Sequence, residues 1–140
     1  MKRYSYSILI LCLALTTVTF PQDKTDKTKA AEQAAADWLK LMDFDAYARG
    51  WRQASSTLKA AVAQGDFEQK LRATRTPLGV VLSRQLKSTE YRKQLPGVPD
   101  GEYILIRYDT SFERKKNAIE TVVPTLDRDG RWRVAGYSIK

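Results

Sequence analysis

The stretch that decides the fold is LPGVPDGEYILIRYDTSFERKKNAIETVVPTLDRDGRWRV, residues 95–134. Side chains in it alternate with a period of two, the spacing of a strand with one buried face. Ile104, Ile106, Tyr108, Thr110 and Phe112 mark one strand. Ile119, Thr121, Val123 and Thr125 mark the next, and Trp132 and Val134 a last one that Gly136 interrupts. Arg114–Asn117 reads as the turn joining the first two, and Arg128–Gly130 as a hairpin turn joining the second two. In the loop ahead of them, Pro99-Asp100-Gly101 fits a tight turn with glycine where positive φ is tolerated. One more strand precedes the loop over residues 79–91, where Val80, Leu82 and Leu86 alternate.

Upstream of Pro77 the period is 3.6 instead. Ala31, Ala35, Trp38 and Met42 give one apolar helix face. Tyr47, Trp51, Leu58 and Val62 continue a stripe along a second segment, capped by Asp43 or Asp45 and ended by Gly65; Gly50 and Ser55-Ser56 are its weak points. A third short helix starts at Asp66, with Gln69 as capping-box partner and Phe67 and Leu71 on its apolar face. Helices first and strands after them predict an α+β fold, with the helices packed on one face of a curved four-stranded antiparallel meander. Turns centred near 115–116 and 128–129 would set Tyr108 opposite Val123, Thr110 opposite Thr121, and Val123 opposite Val134. That register puts Arg107, Asp109, Glu120, Arg133 and Tyr137 on the outer face.

The N-terminus reads differently. A basic MKRYSYS precedes the thirteen-residue apolar run ILILCLALTTVTF, the order of a signal peptide over about residues 1–20. The run is shorter than the ~20 residues a membrane-spanning helix needs. The cleavage site is weak, since no Ala-x-Ala is present. Leu11 before Cys12, with only four apolar residues ahead of it, argues against a lipoprotein. Residues 21–29 read as a flexible polar lead-in and residues 30–140 as a single domain. Export is therefore the expectation, to the periplasm or beyond.

Loss of the signal removes Lys2, Arg3 and the single cysteine. Of 24 basic residues, 22 remain against 16 acidic, a net +6. The chain has no histidine. Disulfides, thiol nucleophiles, Ser-His-Asp triads and ordinary zinc sites are excluded from the mature chain. No phosphate-cradling glycine loop, nucleophile elbow or complete calcium loop appears, so no catalytic residue, metal ligand or cofactor is expected.

RTPLGVVLSR, LPGVPDGEYILIRYDTSF, AIETV and DGRWRVAGYSIK fall in the order seen in a family of small secreted bacterial proteins. The chain resembles that family, known only as domain of unknown function number four thousand and nineteen, from about Ala34 to Lys140. The resemblance implies a cone-like fold similar to the nuclear-transport-factor-two-like, or cystatin-like, proteins. It implies no catalytic residues and no ligand.

A cone of this kind offers a pocket between helices and sheet. Trp38, Tyr47, Trp51, Tyr108 and Trp132 could line it or simply fill it. Arg84 interrupts the apolar alternation of its strand and should point inward, where it needs a carboxylate such as Asp37 or a bound anion. The outer face of Arg107, Asp109, Glu120, Arg133 and Tyr137 is either solvated or a partner surface. The basic groups at 84–93 and 114–116 suit anionic envelope components or plain solvation, and an exported protein is not expected to meet nucleic acid. The leading expectation is a non-catalytic module of the cell envelope that binds a small anionic or apolar ligand or an envelope protein. The alternatives are an isomerase- or hydrolase-like enzyme with a Tyr/carboxylate pair in the cone, and a homodimer built through the outer sheet face.

Overall fold

The computed structural model describes residues 22–140; the expected signal peptide at 1–20 lies outside the described residues. Helix α1 (Gln22–Asp43) is followed by α2 (Tyr47–Gln53), α3 (Ser56–Ala61), α4 (Gln64–Arg75) and a 3₁₀ turn over Thr76–Leu78. Strands β1 (Val81–Arg92), β2 (Tyr103–Phe112), β3 (Lys115–Leu126) and β4 (Trp132–Ile139) then form one open antiparallel sheet in the order β1-β2-β3-β4. The α+β class and the helices-then-meander order are those expected.

Of the expected flexible lead-in at 21–29, the described residues 22–29 instead form the first two turns of α1. Asp23 pairs with Lys27 one turn on at 3.3 Å, and Lys27 Nζ donates to Glu102, just ahead of β2, at 3.0 Å. A polar sequence is helical here because those pairs and that anchor hold it. Ala31, Ala35, Trp38 and Met42 are buried as the spacing predicts, and with Leu39, Leu58, Phe67 and Leu71 they pack on Ile104, Ile106, Val122 and Val134.

The expected second helix is two helices. Ser55 leaves helical geometry (φ −65°, ψ 161°), and its side chain caps α3 by accepting from the Leu58 amide at 3.2 Å. Neither Asp43 nor Asp45 caps α2, whose N-cap is Ala46; Asp45 sits in the left-handed region at φ 56° and accepts from Tyr47 Oη at 2.6 Å. Helix α4 begins two residues before Asp66, so Gly65 lies inside it.

The β2–β3 connection is tighter than expected. Phe112 pairs with Lys115, leaving Glu113-Arg114 as a two-residue turn. A bulge between Phe112↔Lys115 and Thr110↔Ala118 adds one residue on β3, so Tyr108 opposes Glu120 and Thr110 opposes Ala118, in place of Val123 and Thr121. An odd shift of register sends every side chain of a strand to the opposite face. Ala118, Glu120, Val122 and Pro124 consequently face the helices.

The β3–β4 hairpin turns at Arg128–Gly130 as predicted, with Gly130 at φ 79°. Pairing then shifts by one residue between Pro124↔Val134 and Val123↔Gly136, and the bulge at Ala135 returns Tyr137 to the inner face opposite Val122. In the loop after β1 the positive φ belongs to Gly97, not Gly101. That loop folds back on Tyr103, whose hydroxyl donates to the Pro99 carbonyl at 2.5 Å.

Candidate functional site

The inner face carries a cluster of charge. Glu120, at 0% exposure, is its centre. Its Oε1 accepts from Tyr137 Oη at 2.5 Å, Arg75 Nη1 at 3.1 Å and Arg84 Nη2 at 3.3 Å. Its Oε2 accepts from Arg84 Nε at 2.6 Å and Thr110 Oγ1 at 2.7 Å. Asp43, the last residue of α1, receives Arg84 through both oxygens at 2.7 and 2.9 Å and Arg75 at 2.6 Å. Arg75 also donates to Tyr137 Oη at 2.5 Å. Two guanidinium groups thus meet two carboxylates. The knot ties α1, α4 and all four strands together.

The electrostatics follow from that enclosure. Burial works to lower the pKa of both arginines, but the adjoining charges outweigh it and hold both above their ordinary value. For Arg84 those are Asp43 and Glu120; for Arg75 they are Tyr137, Glu120 and Asp43. Burial, followed by the Glu120 charge, raises the Tyr137 phenol well above 10.0. No buried side-chain nitrogen or oxygen among the described residues lacks a partner. The cluster is closed: charge, donors and acceptors are matched internally.

Arg84 therefore does point inward, but its carboxylate partners are Asp43 and Glu120. Asp37 lies on the exposed side of α1, bonded to Gln33 and Lys40. Glu120 and Tyr137, expected outside, belong to the inner cluster because of the register shift and the bulge. Arg107, Asp109 and Arg133 do share the outer surface, where Asp109 pairs with Lys87 at 2.9 Å and Arg133 pairs with Asp127 and Asp129. Arg75 was not anticipated. It ends an amphipathic helix and precedes Pro77 like any solvated helix-end arginine, and only the packing of α4 against the sheet turns it inward.

The aromatic candidates are placed as core. Trp38 and Tyr47 are buried, and Trp51 and Trp132 pack at the margin of the same cluster. Trp38 Nε1 donates to the Gly50 carbonyl at 3.0 Å and Trp51 Nε1 to the Val62 carbonyl at 2.9 Å, so their polar ends are satisfied within the chain. None of the principal depressions among the described residues is lined by Trp38, Tyr47, Trp51, Arg84 or Trp132. A depression of about 280 Å³ reaches Asp43 and Arg75 beside Gly79 and Glu113, but stops short of Glu120. Among the described residues no cluster of carboxylates and cysteines is arranged to hold a metal ion.

The open surface lies at the β1 edge of the sheet. Helix α1 crosses the sheet and leaves β1 uncovered, so Val80, Leu82 and Leu86 are 58%, 55% and 52% exposed. Between α1 and β1 runs a groove of about 400 Å³ whose floor is Tyr108 and whose walls include Ala36, Glu32 and Leu86. Tyr108, the remaining aromatic candidate, is thus at the base of a surface groove. Phe44, 84% exposed, stands on the turn after α1, next to Asp43 and Asp45, which share the smaller depression with Val80.

No curated protein and no solved structure matches the chain. A family model described as protein of unknown function (DUF4019) matches residues 34–137, which takes in α2, α3, α4, every strand but the end of β4, and all six residues of the inner cluster. The chain belongs to that family.

Proposed function

We propose that this protein is a non-catalytic interaction module of the cell envelope, exported by its N-terminal apolar run and working through the open β1 edge and the groove beside it. The observation that carries this reading is the contrast between a sealed interior and an unfinished edge. The tyrosine–carboxylate pair at the centre of the inner cluster, Tyr137 with Glu120, is held by two arginines and a threonine, with Glu120 at 0% exposure. It has no free acceptor to serve as a base and no depression leading to it. At β1, by contrast, apolar side chains and one side of a strand backbone face solvent, which is the arrangement that recruits another polypeptide strand.

The experiment is photocrosslinking in the native compartment, with a photoreactive side chain placed at Leu82 or Leu86 and, as controls, at Asp109 or Ile119 on the outer face. Protein adducts concentrated at Leu82 and Leu86 are the expected result. Equal yields at both faces, or repeated recovery of a stoichiometric small molecule with the purified protein, would overturn the reading. N-terminal sequencing of the exported chain should start near residues 20–23; a start at Met1 would remove export from it.

A further inference from the structure

We infer that the partner seated on the β1 edge is a second copy of this chain, the two β1 strands pairing antiparallel about a two-fold axis; this rests on the reading of the edge just given. Edge strands in proteins that stay monomeric are kept short, broken by proline or covered. Strand β1 carries milder protections, bulges after Val81 and Leu86 and the inward Arg84, but it spans twelve residues, VLSRQLKSTEYR, without a proline. Among the described residues no side chain or loop bonds to its outer edge. The opposite edge of the sheet is treated differently. Strand β4 has eight residues, and the Ser55 amide donates to its Val134 carbonyl at 2.9 Å, so the α2–α3 junction caps it.

The charges on β1 favour self-pairing over a foreign strand. Lys87 and Glu90 both lie on the outer face: Lys87 reaches Asp109 of β2, and Glu90 faces Arg107 of β2 at 3.9 Å. An axis through Thr89, with Lys87 and Ser88 facing one residue across the bulge, sets Lys87 of each copy opposite Glu90 of the other, twice over. The same axis sets Leu86 of each copy opposite Tyr91 of the other. Both of these residues are on the face that meets the helices, since they pair with Tyr108 and Ile104 of β2. Opposite charges and apolar pairs directly across an antiparallel ladder stabilise it, and like charges oppose it. The bulge between Leu86 and Ser88 lies next to the axis and adds local twist. A strand of twelve residues is smaller than the ~20 residues a side of a standard stable interface, so the dimer should be concentration-dependent.

The test uses the full chain carrying Cys12→Ser, so that any thiol present is an engineered one. Sedimentation equilibrium should show a reversible monomer–dimer system, and Leu86→Lys should weaken the association at least tenfold while leaving circular dichroism unchanged. Should Leu86→Lys disturb folding, crosslinking decides independently. A mixture of Lys87→Cys and Glu90→Cys chains should oxidise to the mixed disulfide several-fold faster than either alone forms its own. A chain that stays monomeric at every concentration, or a mixed disulfide no faster than the homodisulfides, overturns the inference. So does a dimer indifferent to Leu86→Lys but broken by Arg107→Glu on the outer face. If the chain is monomeric while photocrosslinks at Leu82 and Leu86 capture a different protein, the second copy is ruled out and the interaction module stands. If β1 is silent in both experiments, both fall.

Discussion

At the scale of single residues, Glu120 is the most consequential side chain. It stands in AIETVV, where alternation alone makes it one more solvated charge, and its burial follows only from the bulge at the start of its strand. Glu120→Gln keeps the shape but leaves Arg75 and Arg84 facing Asp43 alone. Removing one partner of a buried pair costs about 3–5 kcal/mol, and urea unfolding should show a loss of that order. Replacing Arg84 and Glu120 together by Met and Leu should cost less than the two single changes summed, because the uncompensated charge goes with its partner. Arg84 was legible because it breaks an apolar alternation. Its partner was not: Asp37 and Asp43 both lie on α1, and only three-dimensional placement separates the exposed one from the one in the cluster. At the surface, Asp129 accepts from Arg133 and from the Arg131 amide, which lower its pKa from 3.8 to about 2. A depressed carboxylate stabilises the fold above its unfolded pKa and loses that contribution as pH falls through the folded one. Carboxyl NMR should therefore find Asp129 titrating near 2, and Arg133→Gln should return it toward 3.8.

At the scale of elements, the sequence declares each strand but not its register. The period-two pattern of β2 places its buried face correctly, whereas RKKN, rich in turn-compatible polar residues, suggests a turn two residues later than the one at Glu113-Arg114. Both strands carry mixed apolar and polar side chains on either face, so parity could not arbitrate. The bulge at Ala135 left only a weak trace, the glycine that follows it. Helix breaks were easier to see, since Ser55-Ser56 supplies a hydroxyl that caps α3 better than it continues a helix. Gly79 gives the clearest test at this scale. Its φ of 76° admits few side chains, and a Cβ there would stand 2.3 Å from a Glu113 carboxylate oxygen that otherwise accepts from the Val80 amide at 3.3 Å. With ψ at −162° the position lies in a region essentially confined to glycine, so Gly79→Ala should cost about 1–3 kcal/mol, measured by chemical denaturation, and should loosen the entry to β1. Gly97→Ala, at φ 79° with open space around it, should cost only the backbone part.

At the scale of the molecule, the buried phenols link stability to alkaline pH. Tyr47, Tyr108 and Tyr137 are all raised above 10.0, chiefly by burial, Tyr47 to about 12. A raised group contributes stability in full below its unfolded pKa and loses it as pH climbs toward the folded value. Unfolding in alkali should therefore set in above pH 10, and these tyrosines should ionise together with it; absorbance at 295 nm followed beside circular dichroism checks this. Tyr137→Phe should leave the others titrating as before while exposing the Arg75–Glu120 contact to a lost hydrogen bond. The capped β4 edge has a further consequence. Polymer chemistry distinguishes monomers with one reactive end from those with two, because only the second kind can lengthen a chain. With Val134 bonded to Ser55 and no such bond to the β1 edge among the described residues, the proposed pairing makes this protein of the first kind. Pairing two copies consumes the available end on each and leaves a finite eight-stranded sheet, so the same exposed strand that invites association also terminates it before a filament can grow.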